Sequence, residues 1–165
     1  MSPTSSTSLN SRNSLLRSIA LGGIIISIGQ LIQVWVVNSL LQKTPFILVL
    51  QYLASGALGE SAFTGGIATA LLGLFFHLLV SFVIAGVFIL SANRIPLLNR
   101  YAIAGSLLYG FGVFIVMNFI VLPLSAAPPV PAPTMPWLIE AIIEHILVVG
   151  LPLGLLVRRN ANANK

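Results

Sequence analysis

Four long apolar stretches, separated by short polar or proline-rich breaks, set the rhythm of this chain. The first, Ser18 to Gln42, runs 25 residues without a charged side chain. The others cover about 65–90, 101–124 and 137–157. Each meets the ~20 residues that a helix rising 1.5 Å per residue needs to cross a hydrocarbon layer about 30 Å thick. In that environment a helix satisfies its own backbone polar groups. The pattern therefore predicts an all-α fold, an antiparallel bundle of four transmembrane helices built from residues 15–159. Ahead of it, residues 1–14 are rich in Ser, Thr and Asn and hold too little apolar surface for a core, which predicts a disordered tail. Residues 160–165 form a second short tail. The first stretch is longer than a secretory h-region and lacks a small-x-small cleavage site, so it reads as a span and not as a signal peptide.

The connectors differ in kind. Between the first two spans, the centre of Lys43 to Thr64 repeats Phe46, Val49, Leu50, Leu53, Ala54 and Ala57 at helical spacing. On length this is preferred as an interfacial helix, with a re-entrant hairpin turning at Gly56 or Gly59 as the alternative. Asn93 to Arg100 is short, making the second and third spans antiparallel neighbours. Ser125 to Pro136 carries five prolines and no charge, which predicts a stiff, extended strap.

Composition closes off whole classes of function. The chain is 57% hydrophobic and 7% charged, whereas a soluble domain is about 25% charged, so most of its surface must face lipid. Its net charge of +5 does not point to nucleic acid, because the basic residues sit at segment ends instead of clustering on a face. Their placement is a topology signal. Arg12 and Arg17, Arg94 and Arg100, and Arg158, Arg159 and Lys165 lie on one side, with Lys43 alone on the other. Both termini are thus expected on the cytoplasmic side of the membrane. The chain has no Cys, which removes disulfides, thiolate metal sites and thiol catalysis.

Ionisable groups inside a span are expensive, and here they are candidates for function. Counted along the helices, His77 lies roughly 16 Å below Gly66, and Glu144 and His145 roughly 10 to 12 Å below Trp137. Gln30 falls near the level of His77, and Asn118 near the same end. His77, Asn118, Glu144, His145 and Gln30 are therefore expected to form a polar cluster in the outer half of the bilayer, while Glu140, closer to the interface, reads as structural. In the second span Thr69, Gly73, Ser81 and Ala85 bracket His77 at four-residue steps, a small-residue band suited to helix packing within the bundle or in a homo-oligomer. A similar band, Ala102, Ser106 and Gly110, continues on the third span. Pro152 should kink the last span or leave a free carbonyl there, since it cannot donate to Val148. No phosphate loop, Rossmann fingerprint or HExxH motif is present, and Gly59, Glu60 and Ser61 match only the start of a nucleophile elbow in a chain without Asp. No catalytic residue and no metal site is assigned. Haem or metal at His77 and His145 is the remaining cofactor alternative.

The order of His77 with Ser81, Asn118 before Pro123 and Leu124, Pro128 and Pro129, then Pro136 and Trp137, a Glu/His pair and Arg158 with Arg159 resembles the YagU-like bacterial inner-membrane proteins. The stretch QYLASGALGESAFTGG at 51–66 is similar to a segment of small four-span bacterial proteins. That group has no assigned activity, so the resemblance implies a bacterial inner membrane and no chemistry. In this chain Ala141 stands where the group's Glu-to-His interval would begin. The function expected from the residues is non-enzymatic handling of protons or a small solute by the polar cluster. The alternative is a structural or assembly partner that acts by helix packing.

Overall fold

The computed structural model describes residues 4–129 and 134–163, with side chains from 13 to 161 in that range. Helices account for nearly all of it, and no strand occurs among the described residues. Helix α1 (Thr4–Val34) continues through a wide π-helical turn, Trp35–Leu41. α2 (Phe46–Leu58) ends in a 3₁₀ turn, Gly59–Thr64. α3 (Gly66–Arg94), α4 (Pro96–Arg100) and α5 (Ala102–Val116) follow, and a second π-helical turn, Met117–Val121, leads into α6 (Leu122–Leu124). α7 (Met135–Glu144), a third π-helical turn (His145–Gly150) and α8 (Leu151–Ala163) complete the chain as one rod.

Five of these helical stretches are long and apolar enough to cross a membrane, where the sequence predicts four. The additional one is Phe46–Thr64, whose 19 residues combine α2 with its 3₁₀ turn. The tail predicted for 1–14 also differs, because helix begins at Thr4 and residues 1–3 lie outside the described residues. Nothing between 4 and 21 is Pro or Gly. A helix already nucleated in the apolar stretch adds further residues at little cost, and no breaker stops it. The centre of the proline strap, 130–133, is likewise outside the described residues, although Ser125 and Thr134 on either side have extended backbones.

α1 and α3 are antiparallel neighbours in intimate contact. A Cβ added at Gly22 would meet Ala85 and Ile89, and one at Gly23 would meet Phe82. The small-residue band of the sequence lies on this inner side, with Ser81 and Ala85 sealed, Gly73 buried and Thr69 half-buried. α2 covers the start of the band. Gly73 lies against the Leu50 carbonyl so closely that no side chain fits between the two backbones. The Gln51 amide donates to the Gly66 carbonyl (2.9 Å), and the Ala126 amide donates to the Gly56 carbonyl (2.9 Å). α2 thus lies across the first turns of α3 and reaches the chain beyond α6. At its end Gly59 takes φ +60°, a conformation that costs other residues about 1 kcal/mol or more.

The second tight pair is α5 with α7 and α8. Gly110 faces the His145 carbonyl, Gly150 the Ser106 carbonyl, and Gly154 the Ser106 side chain. The band Ala102, Ser106 and Gly110 therefore has its counterpart in Gly150 and Gly154, allowing backbones to approach as small residues do in membranes. Between the two pairs the core holds Ile26, Phe88, Ile89, Val149 and Leu153. Tyr109 stacks obliquely on Phe88 (5.1 Å between centroids) and donates to the Ile84 carbonyl (2.9 Å).

Candidate functional site

The polar groups gather where α1 meets α7. Glu144 is buried, with 8% of its side chain exposed, and its Oε2 lies 2.5 Å from Nδ1 of His145. The same Nδ1 hydrogen also points at the Ala141 carbonyl (2.8 Å). The His145 ring meets Phe114 of α5 edge to face at 5.6 Å. The other carboxylate oxygen, Oε1 of Glu144, is buried and has no hydrogen-bond partner. Such an oxygen is costly in a low-dielectric surrounding. One turn earlier on the same face, Glu140 accepts a hydrogen bond from the Gln33 amide of α1. Gln33, Glu140 and Glu144 share a groove of about 690 Å³, completed by Met135, Ile139 and Leu147 among others.

The backbone explains how these groups come together. Glu140 and Glu144 are four residues apart on a helix and so share a face. His145 opens the π-helical turn that ends two residues before Pro152. Pro152 has no N–H for the Val148 carbonyl and its ring crowds that turn, which the wide turn accommodates without breaking the rod. The predicted kink is in this way realised as a π bulge beginning at the candidate histidine. The same pairing recurs at Met117–Val121 ahead of Pro123.

The expected cluster is only partly assembled. Glu144 and His145 are in contact. The His77 ring itself turns onto α1 and donates from Nε2 to the Ser27 carbonyl (3.2 Å). Asn118 donates to the Phe114 carbonyl of its own helix (3.0 Å), bracing the edge of the second π turn instead of facing Glu144. Gln30 is half-buried on α1, one turn before Gln33. The amide that reaches α7 is thus Gln33, and the carboxylate it meets is Glu140, the residue read from sequence as structural. The level of the two helices is set by contacts that the sequence does not reveal: Gly29 lies against Val148, and Gly22 against Leu153. α1 and α7–α8 therefore run antiparallel; Gln33 stands one turn beyond Gly29 and Glu140 two turns before Val148, and their hydrogen bond joins the two helices at that level.

Thr69 donates to the Ala62 carbonyl (2.6 Å) and Ser81 to the His77 carbonyl (2.8 Å), so both members of the small-residue band are engaged inside the chain. Within the chain that band is covered by α1 and α2. Among the described residues no three His, Cys, Asp or Glu side chains are grouped as a metal site. His77 and His145 turn toward different helices, α1 and α5 respectively.

What the arrangement can do chemically is hold a proton or a small cation. A buried carboxylate with one satisfied and one bare oxygen lies beside an imidazole that can take or give a hydrogen. Comparison with family models, with curated proteins and with solved structures gives no match, so the site stands on its own geometry.

Proposed function

We propose that this chain crosses a membrane four times and passes protons, or a small cationic solute, through the Glu144 and His145 pair from a groove on its outer half. Parity supports the count of crossings. α1 and α3 are antiparallel, so the chain leaves one and enters the other on the same side, and α2 between them makes no net crossing. The 13 residues of α2 span about 20 Å as a helix, short of a hydrocarbon core. The excess of arginine at the opposite end supports cytoplasmic termini. The resemblance to YagU-like proteins supports a bacterial inner membrane.

One observation carries the functional reading: the bare, buried Oε1 of Glu144 next to His145. A buried carboxylate oxygen without a hydrogen-bond partner is stabilised when a proton or a cation comes to it. The test is flux into proteoliposomes containing a pH-sensitive dye. Wild-type protein should collapse an imposed proton gradient faster than empty liposomes, and Glu144→Gln and His145→Gln should each remove most of that excess while eluting as monodisperse protein. Excess flux that persists in both variants would end the proposal.

A second reading is favoured by the bonds from Gln33 to Glu140 and from His77 to Ser27, which tie helices together. Such bonds contribute about 1 kcal/mol each within membranes. On this reading the chain is an assembly partner and the polar groups are interhelical ties. Crosslinking in native membranes separates the two: a reproducible complex together with no proton flux would favour the partner role.

A further inference from the structure

The end of the bundle far from α2 carries a second cavity of about 980 Å³, formed where α4 and the start of α5 face α8. Arg100 and Arg158 both line it, together with Asn99 and the apolar Ile103, Ala104 and Leu107. The Arg100 guanidinium lies 5.3 Å from the centre of the Tyr101 ring, which holds it by a cation–π contact. All three carboxylate side chains of the protein, Glu60, Glu140 and Glu144, belong to the opposite end. Among the described residues the one ion pair is that of Glu144 with His145. Two guanidinium groups therefore line one cavity, and among the described residues no carboxylate side chain pairs with either.

We infer that this cavity holds one anionic phospholipid, its phosphate between Arg100 and Arg158 and the start of an acyl chain along Ala104 and Leu107. Charge complementarity selects the anion, because guanidinium groups match phosphate oxygens in a bidentate fork. The apolar lining selects a lipid over a free anion. From Tyr101 to Leu107, α5 descends about 9 Å into the bundle with small and aliphatic residues toward the cavity, a depth that a phosphate ion leaves empty. Basic pockets between helices near a membrane surface take lipid headgroups on the same grounds. This inference rests on the membrane reading and is independent of Glu144 and His145.

The experiment is native mass spectrometry of the purified full chain mixed with equal amounts of dioleoyl phosphatidylglycerol and dioleoyl phosphatidylcholine. Wild-type protein should retain one phosphatidylglycerol. Arg100→Gln and Arg158→Gln should each weaken retention about fivefold. Ala104→Phe, which leaves every charge in place and fills the apolar part of the cavity, should abolish it. Arg17→Gln removes a charge at the same end but outside the cavity and should leave retention unchanged. Equal retention of the two lipids, indifference to Ala104→Phe, or an equal loss with Arg17→Gln would overturn the inference, and so would displacement of the lipid by excess inorganic phosphate. Inability to enter a detergent micelle or bilayer would overturn the membrane reading along with it.

Discussion

At the scale of single residues, the pairing of Gln33 with Glu140 shows what a membrane interior asks of a polar group. The amide and carboxylate come from different helices and satisfy each other. Gln33→Leu should lower stability by about 1 kcal/mol, read as a drop in thermal midpoint in detergent, because the half-buried Glu140 carboxylate can still reach water. The glycines are less forgiving. Gly150→Val forces a branched side chain against the Ser106 carbonyl and should cost about 2 to 3 kcal/mol, measured in the same unfolding assay, whereas a Val at Gly112, which has open space around it, should be nearly silent. The kinds of residue that matter at the site were legible in the sequence: Glu144 and His145 stand out in an apolar run. Their partners were not, because which α1 amide meets which α7 carboxylate depends on how two helices slide against each other, and that offset is fixed by glycine contacts elsewhere in the bundle.

At the scale of elements, proline and the wide helical turns belong together. Pro152 announced a distortion in the sequence, but sequence cannot tell a bend from a bulge, since both relieve the same clash. A π bulge inserts one extra residue and so turns everything before it by about 100° relative to a regular helix. It therefore decides where Glu144 and His145 point. Pro152→Ala allows the regular hydrogen bonds to return. The expected outcome is a thermal midpoint equal to or above that of wild type with proton flux reduced toward the level of empty liposomes. Loss of flux without loss of stability is the signature to look for. α2 was the element least legible in advance. Its apolar face and length suit both an interfacial and a re-entrant placement, and only the fit of Gly73 under Leu50 fixes it across the start of α3.

At the scale of the whole molecule, the helical, membrane-suited character of the chain was legible from hydropathy and length alone, as was the apolar part of each of the four long helices, although α1 begins at Thr4, well ahead of the span predicted from Ser18. The ends were misjudged because polar residues extend a helix beyond the apolar part of it. The absence of cysteine makes the topology directly testable with single-cysteine variants. In intact spheroplasts a membrane-impermeant maleimide should label Lys43→Cys and leave Asn99→Cys unlabelled until the membrane is opened, and the reverse pattern would invert the orientation. The glycine contacts described above have a mechanical corollary. Where a glycine lets one helix settle onto its neighbour, as α1 does on the side chains of α3 and α8 on the backbone of α5, independent swinging of either helix is restricted and each couple behaves as a stiff plate. The plates are joined largely by side chains, Gln33 to Glu140 near one margin and Asn160 to Ser18 (2.8 Å) near the other. Any breathing of the protein is thereby channelled into a hinge between plates, and the bare carboxylate oxygen sits beside that hinge.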